Sequence, residues 1–298
     1  MPPNAPIAVV HLVRAANGPK PLRTFLDSYA AYDAGIEHEL VLVFKGFNDP
    51  PTEEYERMLA RIPHRRISVS DEGYDVNVYF RVAREQQADL YCFLNSYSEI
   101  LAPNWLRKLR AAIGIPGVGL VGATGSWQSI FSNYDDATRV LPPMLPQQPR
   151  WKRFLGENLP FLRRVRFVVR RRLLKGTFEP FPNYHLRTNA FMLRRETALG
   201  IKVPPIRRKF DAYLFESGRE GLTMQVLAME QRVLVVGRDG TTYEKDEWCR
   251  SNTFWRSNQE DLLVADNQTR SYAAADMTAR LTYSTYAWGS EADPGTTT

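Results

Sequence analysis

Residues 89–106 read Asp-Leu-Tyr-Cys-Phe-Leu-Asn-Ser-Tyr-Ser-Glu-Ile-Leu-Ala-Pro-Asn-Trp-Leu, and this stretch decides the fold class. Its apolar first part, which ends at Leu94, predicts a strand that is buried on both faces. The polar residues 95–99 predict a loop, and Pro103 predicts that a helix begins directly after it. The stretch is therefore a strand-loop-helix unit with polar side chains at the carboxyl end of its strand.

The same unit repeats on both sides of this stretch. Apolar, β-branched runs predict strands, and apolar residues at helical spacing predict the helices between them. The predicted strands cover residues 7–13, 39–44, 67–69, 89–94, 118–121, 184–193 and 232–236, and the predicted helices include 22–30, 55–62, 75–87 and 217–229. This alternation predicts an α/β fold with a mostly parallel sheet flanked by helices, and ligands outside the carboxyl ends of the strands.

The composition is that of a globular protein. Of the 298 residues, 44% are hydrophobic and 24% are charged, which excludes a disordered or fibrous chain. Cys92 and Cys249 show no CxxC spacing and predict neither a disulfide framework nor a zinc site. The N-terminus lacks a signal-peptide pattern, and no apolar run reaches the roughly 18 residues of a membrane span. We therefore expect a cytoplasmic enzyme.

Prolines and charges indicate the domain organisation. Residues 141–149 contain four prolines, which indicate a linker, and residues 150–175 hold ten lysines and arginines against one glutamate. We therefore expect a catalytic domain over residues 1–240, with a basic insertion at 141–178. A C-terminal extension is expected over residues 241–298, with a disordered tail.

The basic window has two interpretations. Residues 161–175 form a basic amphipathic helix on a helical wheel. Such a helix lies at an anionic membrane surface, which suits a peripheral enzyme at the inner face of the membrane with a lipid-linked acceptor. Alternatively, it is a lid or dimer-packing helix whose arginines meet acidic neighbours or a bound diphosphate. Nucleic acid is not expected, because aromatic residues do not interleave with the charges.

Residues 93–106 resemble glycosyltransferase family 2, in which an apolar strand runs into a DxD-like triplet and then into a Pro-x-Trp-Leu helix start. Residues 71–77, Asp-Glu-Gly-Tyr-Asp-Val-Asn, resemble the glycine-containing turn that precedes the triplet, and residues 9–17 resemble the nucleotide-binding first strand and loop. The resemblance covers residues 7–237. It implies a GT-A, Rossmann-like fold with a nucleotide-diphosphate sugar bound over the sheet.

The resemblance also implies where the donor binds. In the family the triplet holds a divalent metal on the diphosphate, but here it consists of Asn95, Ser96 and Tyr97. Because Mg²⁺ and Mn²⁺ prefer carboxylate oxygens, three alternatives stay open: Glu99 is the metal ligand, a lysine or arginine neutralises the diphosphate, or no metal is used. The other donor-binding candidates are Val13, Arg14, Lys45 and Asp75.

The general base is expected in residues 209–223, which resemble the family's acidic segment. Glu220 fits a capping box with Ser217 at the start of the predicted helix, and this gives it a structural role. Glu216 has no such role. We therefore expect Glu216 to remove the proton of the acceptor hydroxyl, with Asp211 as the second candidate.

Residues 182–195 resemble the strand that contributes to the acceptor side of the pocket in this family. Arg187, Thr188 and Asn189 are the expected contacts to acceptor sugar or phosphate, whereas His185 is expected to be a surface or satisfied residue. Trp248 is a further acceptor-binding candidate, or else an aromatic anchor for the C-terminal extension.

Together these patterns predict a glycosyltransferase that moves a hexose or deoxyhexose from a nucleotide-diphosphate sugar to a saccharide or lipid-linked saccharide. The absence of the triplet's carboxylates motivates one alternative, an inactive glycosyltransferase-like protein that binds carbohydrate or a partner. A nucleotidyltransferase shares the fold class, but residues 14–18, Arg-Ala-Ala-Asn-Gly, match its glycine-rich loop poorly. The sequence leaves the donor base, the acceptor and the oligomeric state open.

Overall fold

A computed structural model describes residues 6–47, 51–135 and 160–289 of the chain. Its strands are β1 Ile7–Arg14, β2 Glu39–Lys45, β3 Arg65–Val69, β4 Leu90–Leu94, β5 Glu99–Ile100, β6 Val118–Gly122, β7 Gly125–Ser126, β8 His185–Leu186, β9 Ala190–Arg194, β10 Arg232–Val236, β11 Thr242–Tyr243 and β12 Val264–Ala265. Its helices are α1 Pro19–Ala31, α2 Glu53–Leu59, α3 Asp75–Glu85, α4 Trp105–Ile113, α5 Ile130–Asp135, α6 Pro160–Thr177, α7 Arg195–Gly200, α8 Lys209–Ser217, α9 Leu222–Ala228, α10 Asn267–Ala273 and α11 Met277–Trp288.

Eight of these strands form one sheet in the order β11-β10-β6-β9-β4-β1-β2-β3. Neighbours are parallel from β3 to β4, and β6 is parallel to β10. β9 is antiparallel to both β4 and β6, and β11 is antiparallel to β10. The predicted α/β fold with a mostly parallel sheet flanked by helices is therefore confirmed.

The reversed direction of β9 determines which loops meet. Ala190, at the start of β9, pairs with Leu94 at the end of β4, and Phe191 pairs with Gly122 at the end of β6. The loop that precedes β9 therefore lies beside the loops that follow β4 and β6. We call this side of the sheet, where β1, β2, β4 and β6 end, the carboxyl edge.

Helices cover both faces of the sheet, so its central strands are buried on both sides. In β1, Val10 and Leu12 pack on one face in a cluster with Tyr79 of α3, and Val9 packs on the other face in a cluster with Phe25 of α1. Burying one large apolar side chain stabilises a fold by about 1.5–3 kcal/mol. The continuous β-branched run of β1 is thus explained by two apolar layers, which hold the carboxyl edge in place.

Two predicted elements differ from the structure. The predicted strand 184–193 is interrupted at residues 187–189, so β8 and β9 are separate. The predicted helix 217–229 is wrong at its start, because Ser217 ends α8 and the next helix begins only at Leu222. The Ser217 hydroxyl donates to the carbonyl of Tyr213 in the preceding turn, so it forms no capping box with Glu220.

The basic window includes a helix, as predicted, in α6. Leu174 of this helix is buried in a small cluster with Phe131 and Phe178, beside Tyr213 and Leu214 of α8. The predicted linker and residues 150–159 of the window lie outside the described residues. No described helix is both long enough and apolar enough to span a membrane.

The C-terminal extension packs on the same core as the rest of the chain. Its strand β12 pairs with β5 at the end of the loop of residues 95–99, which we call the triplet loop. Trp248, Trp255 and Trp288 are buried in the cluster that also holds Tyr79. The proposed division at residue 240 thus separates segments that share one apolar core. The last dozen residues are predicted to be disordered, but Ala287 and Trp288 are buried at the end of α11. Residues 290–298 lie outside the described residues.

Candidate active site

Three charged side chains meet where β1, β2 and β3 end. Lys45 is buried at the end of β2, and its Nζ donates to Oδ1 and to the backbone carbonyl of Asp71 at 2.8 and 2.9 Å. Arg14, at the end of β1, donates to the same Oδ1 at 3.3 Å. The Lys45 ammonium, with a smaller contribution from Arg14, lowers the pKa of the Asp71 carboxyl. Asp71 is thus an exposed carboxylate held by two cations.

Gly46 permits this arrangement. Its φ is +76°, a conformation that favours glycine, and a Cβ at this position would lie 2.9 Å from Cβ of Asp71. The backbone N–H of Gly46 also donates to the carbonyl of Val69 at 3.1 Å. The loop after β2 therefore lies directly against the loop after β3, which carries Asp71.

Asp75 begins α3 beside the same charges. Burial raises the pKa of its carboxyl, and the positive charges of Arg14 and Lys45 oppose that shift. Three of the predicted donor-binding residues, Arg14, Lys45 and Asp75, therefore lie close enough together to influence one another. Val13 precedes Arg14, and its side chain is buried in the core.

The triplet forms a turn that uses its own side chains. Oδ1 of Asn95 accepts hydrogen bonds from the backbone N–H of Tyr97 at 2.9 Å and from the Ser98 hydroxyl at 3.2 Å. Ser96 is buried, whereas Asn95 and Tyr97 are half-buried. Oδ1 of Asn95, a predicted donor-binding residue, thus stabilises the loop.

Glu99 is paired with an arginine from the C-terminal extension. Its Oε2 accepts a hydrogen bond from Nη1 of Arg270 at 2.9 Å, and Nη2 of Arg270 donates to the carbonyl of Tyr97 at 3.1 Å. Mg²⁺ and Mn²⁺ sites need several oxygen ligands. The described residues contain no group of three His, Cys, Asp or Glu side chains placed to hold a metal ion. The donor set of the triplet loop therefore does not fit a divalent cation.

Two of the four predicted acceptor residues, Arg187 and Asn189, have structural partners in the core. Arg187 is buried, donates to Oδ2 of Asp266 at 2.8 Å and stacks on Phe254 at 4.1 Å. Oδ1 of Asn189 accepts from the Thr124 hydroxyl at 2.6 Å. However, Nδ2 of Asn189 is buried without a hydrogen-bond partner in the described part of the chain. An unpaired buried N–H costs about 1–3 kcal/mol, so this amide is a candidate to donate to a ligand.

Glu216 lies at the end of α8 and contacts the third predicted acceptor residue. Its Oε2 accepts hydrogen bonds from the backbone N–H and the hydroxyl of Thr188, at 2.8 and 2.5 Å. Among the hydrogen bonds of the described residues, Oε1 of Glu216 receives none. Nearby, burial lowers the pKa of His185, and the charge of Glu216 opposes that shift. The carboxylate is thus oriented by one oxygen, while the other stays open.

The remaining candidates lie elsewhere. Oδ2 of Asp211 accepts from the backbone N–H groups of Arg207 and Arg208 at the start of α8, and these bonds lower the pKa of its carboxyl. Trp248 is fully buried and donates to the carbonyl of Tyr243 at 3.1 Å, so its ring has no face open to a sugar. Asp211 therefore stabilises a helix end, and Trp248 anchors the extension.

Sequence reasoning missed Asp71 and Arg270 as site residues. Asp71 could have been predicted, because it is a carboxylate shortly after the predicted strand 67–69, at the edge where ligands are expected. No sequence pattern indicates Arg270 as a site residue, since 171 positions separate it from Glu99.

The chain is similar to several solved structures. A mannosyltransferase from Pyrobaculum calidifontis, in complex with GDP-Man and Mn²⁺, is 13% identical over 80% of this chain and 56% of that one, with a TM-score of 0.45. Glucosyl-3-phosphoglycerate synthase from Mycobacterium tuberculosis, in complex with Mn²⁺, UDP and phosphoglyceric acid, is 15% identical over 75% and 62%, with a TM-score of 0.39.

A third solved structure is similar as well. 4-Diphosphocytidyl-2C-methyl-D-erythritol synthase from Anaerococcus prevotii is 12% identical over 84% of this chain and 97% of that one, with a TM-score of 0.42. This chain spans less than two thirds of the length of the two glycosyltransferases. No family model and no curated protein matches it. At such identities, the substrates of these proteins do not transfer to this chain.

Proposed function

We propose that the protein is a GT-A glycosyltransferase that transfers a hexose or deoxyhexose from a nucleotide-diphosphate sugar to a saccharide or lipid-linked saccharide. The observation that supports this best is a short path of contacts along the carboxyl edge. Glu216 accepts from Thr188, and the carbonyl of the adjacent Asn189 accepts from the backbone N–H of Asn95 at 2.9 Å. The proposed base, the loop of residues 187–189 (the acceptor loop) and the triplet loop are therefore held together.

The chemistry assigned to Glu216 is that of a general base. Its Oε1 accepts the proton of the acceptor hydroxyl as the hydroxyl oxygen forms a bond to the anomeric carbon, and the bond from that carbon to the diphosphate oxygen breaks. The bonding pair leaves with the diphosphate. Thr188 holds Oε2, so the carboxylate is oriented before the acceptor binds. Asp211 is the less favoured base, because its carboxylate already holds the start of α8.

On the donor side, Arg14, Lys45 and Asp71 form the group of charges over the ends of β1 and β2. Lys45 is buried and committed to Asp71, so we assign it the role of positioning that carboxylate. The Arg14 side chain is 32% exposed and adds positive charge where a diphosphate is expected. Asp75 and the partly exposed Asn95 and Tyr97 complete the proposed donor side.

A ligand screen followed by one variant tests this function. The protein is melted with UDP, GDP, dTDP and their common sugars, each with and without Mn²⁺. A ligand at about 100 times its Kd stabilises the fold by roughly 2.7 kcal/mol, a shift of a few degrees. With the donor found, Glu216→Gln is expected to lower kcat by about 10²- to 10⁴-fold and to leave donor affinity unchanged.

Glu220→Gln is the matched control, because Glu220 is an exposed carboxylate four residues from Glu216. It should retain wild-type kcat. If no nucleotide shifts the melting temperature, the donor site is absent and the alternative of an inactive carbohydrate-binding protein takes its place. If nucleotide sugar forms from a sugar phosphate and a nucleoside triphosphate, the chain is a nucleotidyltransferase.

We also propose that α6 contacts an anionic membrane surface, at the inner face of the membrane in a cytoplasmic enzyme. Val168, Val169 and Leu173 are 55%, 62% and 56% exposed, next to exposed basic residues that include Arg172 and Lys175. Each basic side chain contributes about 1 kcal/mol near an anionic surface.

Co-sedimentation with phosphatidylcholine vesicles, with and without phosphatidylserine, tests this contact. Replacing Val168, Val169 and Leu173 with serine should abolish binding to the anionic vesicles, whereas the buried Leu174 stays untouched so that the helix keeps its packing. If wild-type protein co-sediments no more with phosphatidylserine-containing vesicles than with phosphatidylcholine vesicles, α6 is a lid or dimer-packing helix.

A further inference from the structure

Arg270 brings a positive charge from the C-terminal extension to the triplet loop. It lies in α10, directly after β12, and β12 pairs with β5 so that Ala265 faces Glu99. The backbone N–H of Leu101 also donates to the carbonyl of Leu263 at 3.1 Å. The base of α10 is therefore fixed against the triplet loop by backbone pairing, and the guanidinium is placed by the fold.

Part of the Arg270 side chain is open to solvent beside the triplet loop. A guanidinium carries five N–H donors. Nη1 binds Oε2 of Glu99 and Nη2 binds the carbonyl of Tyr97, and the side chain is still 40% exposed. In the loop itself, Asn95, Tyr97 and Glu99 are partly exposed, while Ser96 and Ser98 are buried. Arg270 is thus bound to the partly exposed Glu99 and to the backbone of Tyr97, and its guanidinium carries further N–H groups that can donate to a ligand.

The charge at this point differs from that of a metal site. A carboxylate-rich loop is neutralised by a divalent cation, but here the single carboxylate, Glu99, is already neutralised by Arg270. Adding a divalent ion would bring two positive charges beside a guanidinium that already binds the only carboxylate of the loop, and like charges at this distance repel. The loop therefore offers a cation of its own where a metal would otherwise be needed.

We propose that Arg270 takes the place of a divalent metal and binds the diphosphate of the donor. This rests on the proposed transferase function and extends it to a metal-independent leaving-group site. As the bond from the anomeric carbon to the diphosphate oxygen breaks, its electron pair stays on that oxygen, and Arg270 stabilises the added negative charge by charge-assisted hydrogen bonds. The acceptor's proton passes to Glu216, so atoms and charges balance without a metal.

Binding measured with and without phosphate groups tests this assignment. Calorimetry compares the nucleoside diphosphate selected by the melting screen with its nucleoside, on wild type, Arg270→Gln and Arg270→Lys, each with EDTA and with Mn²⁺. Arg270→Gln is expected to weaken diphosphate binding about 10- to 100-fold and to leave nucleoside binding unchanged. Arg270→Lys keeps the charge without the planar fork, so an intermediate loss is expected. A merely structural role would weaken both ligands alike.

Arg280→Gln is the matched control. Arg280 belongs to the same extension and donates to the carbonyl of Ala275 at 3.1 Å and to Oδ1 of Asn258 at 3.1 Å. Among the hydrogen bonds and ion pairs of the described residues, none joins Arg280 to the triplet loop. It should bind the diphosphate like wild type. If Arg270→Gln does not fold, Arg270→Lys and the metal comparison still decide the question.

Glu99→Gln separates the two sources of positive charge. If Arg270 binds the diphosphate, this variant keeps diphosphate binding, and EDTA has no effect on wild type. If Glu99 is instead a metal ligand, Mn²⁺ strengthens binding to wild type, EDTA removes that gain, and Glu99→Gln abolishes it; that result overturns the assignment. Wild type that binds no nucleoside diphosphate at all would refute the transferase function itself.

Discussion

Acidification from pH 7 to pH 5 is expected to destabilise the fold through His11, a buried residue in the middle of β1. Its ring stacks on Phe25 with centroids 3.8 Å apart, and neither ring nitrogen has a hydrogen-bond partner among the described residues. Burial lowers the pKa of His11 to about 3, because the charged imidazolium would lose its hydration there. The folded protein therefore keeps this ring neutral.

The sign and size of the effect follow from linkage. In the unfolded chain a histidine titrates near pH 6.5, so between about pH 6.5 and pH 3 the unfolded state binds more protons than the folded state. Stability contributed by neutral His11 is therefore present above pH 6.5 and is lost as the pH falls through this window. Between pH 7 and pH 5 the two pKa values give a loss of about 2 kcal/mol.

Urea unfolding of wild type and His11→Leu at both pH values measures this loss. Leucine suits the apolar surroundings of Val9, Val13 and Phe25 and carries no titrating group. Other ionisable groups contribute equally to both proteins, so the variant should lose about 2 kcal/mol less than wild type on acidification. Equal losses in the two proteins would refute the neutral, buried state of His11.

Three further predictions concern stability and reactivity. Arg187→Met should lower the free energy of unfolding by about 3–5 kcal/mol in urea titrations, because it leaves buried Asp266 without its cation. Adding Asp266→Asn should recover part of the loss, because asparagine removes the buried charge and keeps an oxygen that can cap α10. Gly46→Ala should lower the melting temperature, because the φ of Gly46 is +76° and an added Cβ would lie too close to Asp71. Gly176→Ala on α6 should not lower it, because no atom lies within 4 Å of the added Cβ. Burial raises the pKa of the Cys92 thiol, so iodoacetamide should label Cys92 only after the protein is unfolded. Peptide mass spectrometry of labelled folded and unfolded protein measures this difference.

The sheet could be predicted from the sequence because its signals are local. The run of residues 7–13 is β-branched and apolar without interruption, and it forms β1 almost as predicted. The sequence gives no such signal for the direction of β9, since strand direction depends on the connection through residues 123–189 and not on local pattern. The predicted strand 184–193 was also too long, because Arg187 and Asn189 turn inward to partners on other elements.

The candidate site was only partly predictable, because local patterns place some of its residues and long-range contacts place the others. Arg14, Lys45 and Asp75 follow strand ends or begin helices, so their positions at the carboxyl edge follow from topology. Ser217 and Glu220 have capping-box spacing, yet Gly218 and Gly221 separate two helices there, and the pattern was misleading. The partners of Arg187 and Glu99 are 79 and 171 positions away, and only the folded chain brings them together.

The pairing of β7 with β8 closes the chain on itself just before the acceptor loop. Gly125 faces Leu186, Ser126 faces His185, and the backbone N–H of Asn183 donates to the carbonyl of Trp127 at 2.9 Å. Everything from residue 128 to residue 182, the basic helix included, is therefore inserted between two tied ends. The tie fixes where this segment leaves and re-enters the core, and Leu174 of its helix packs beside Tyr213 and Leu214 of α8. The helix that we propose to contact a membrane is thus connected through α8 to the carboxylate that we propose as the base.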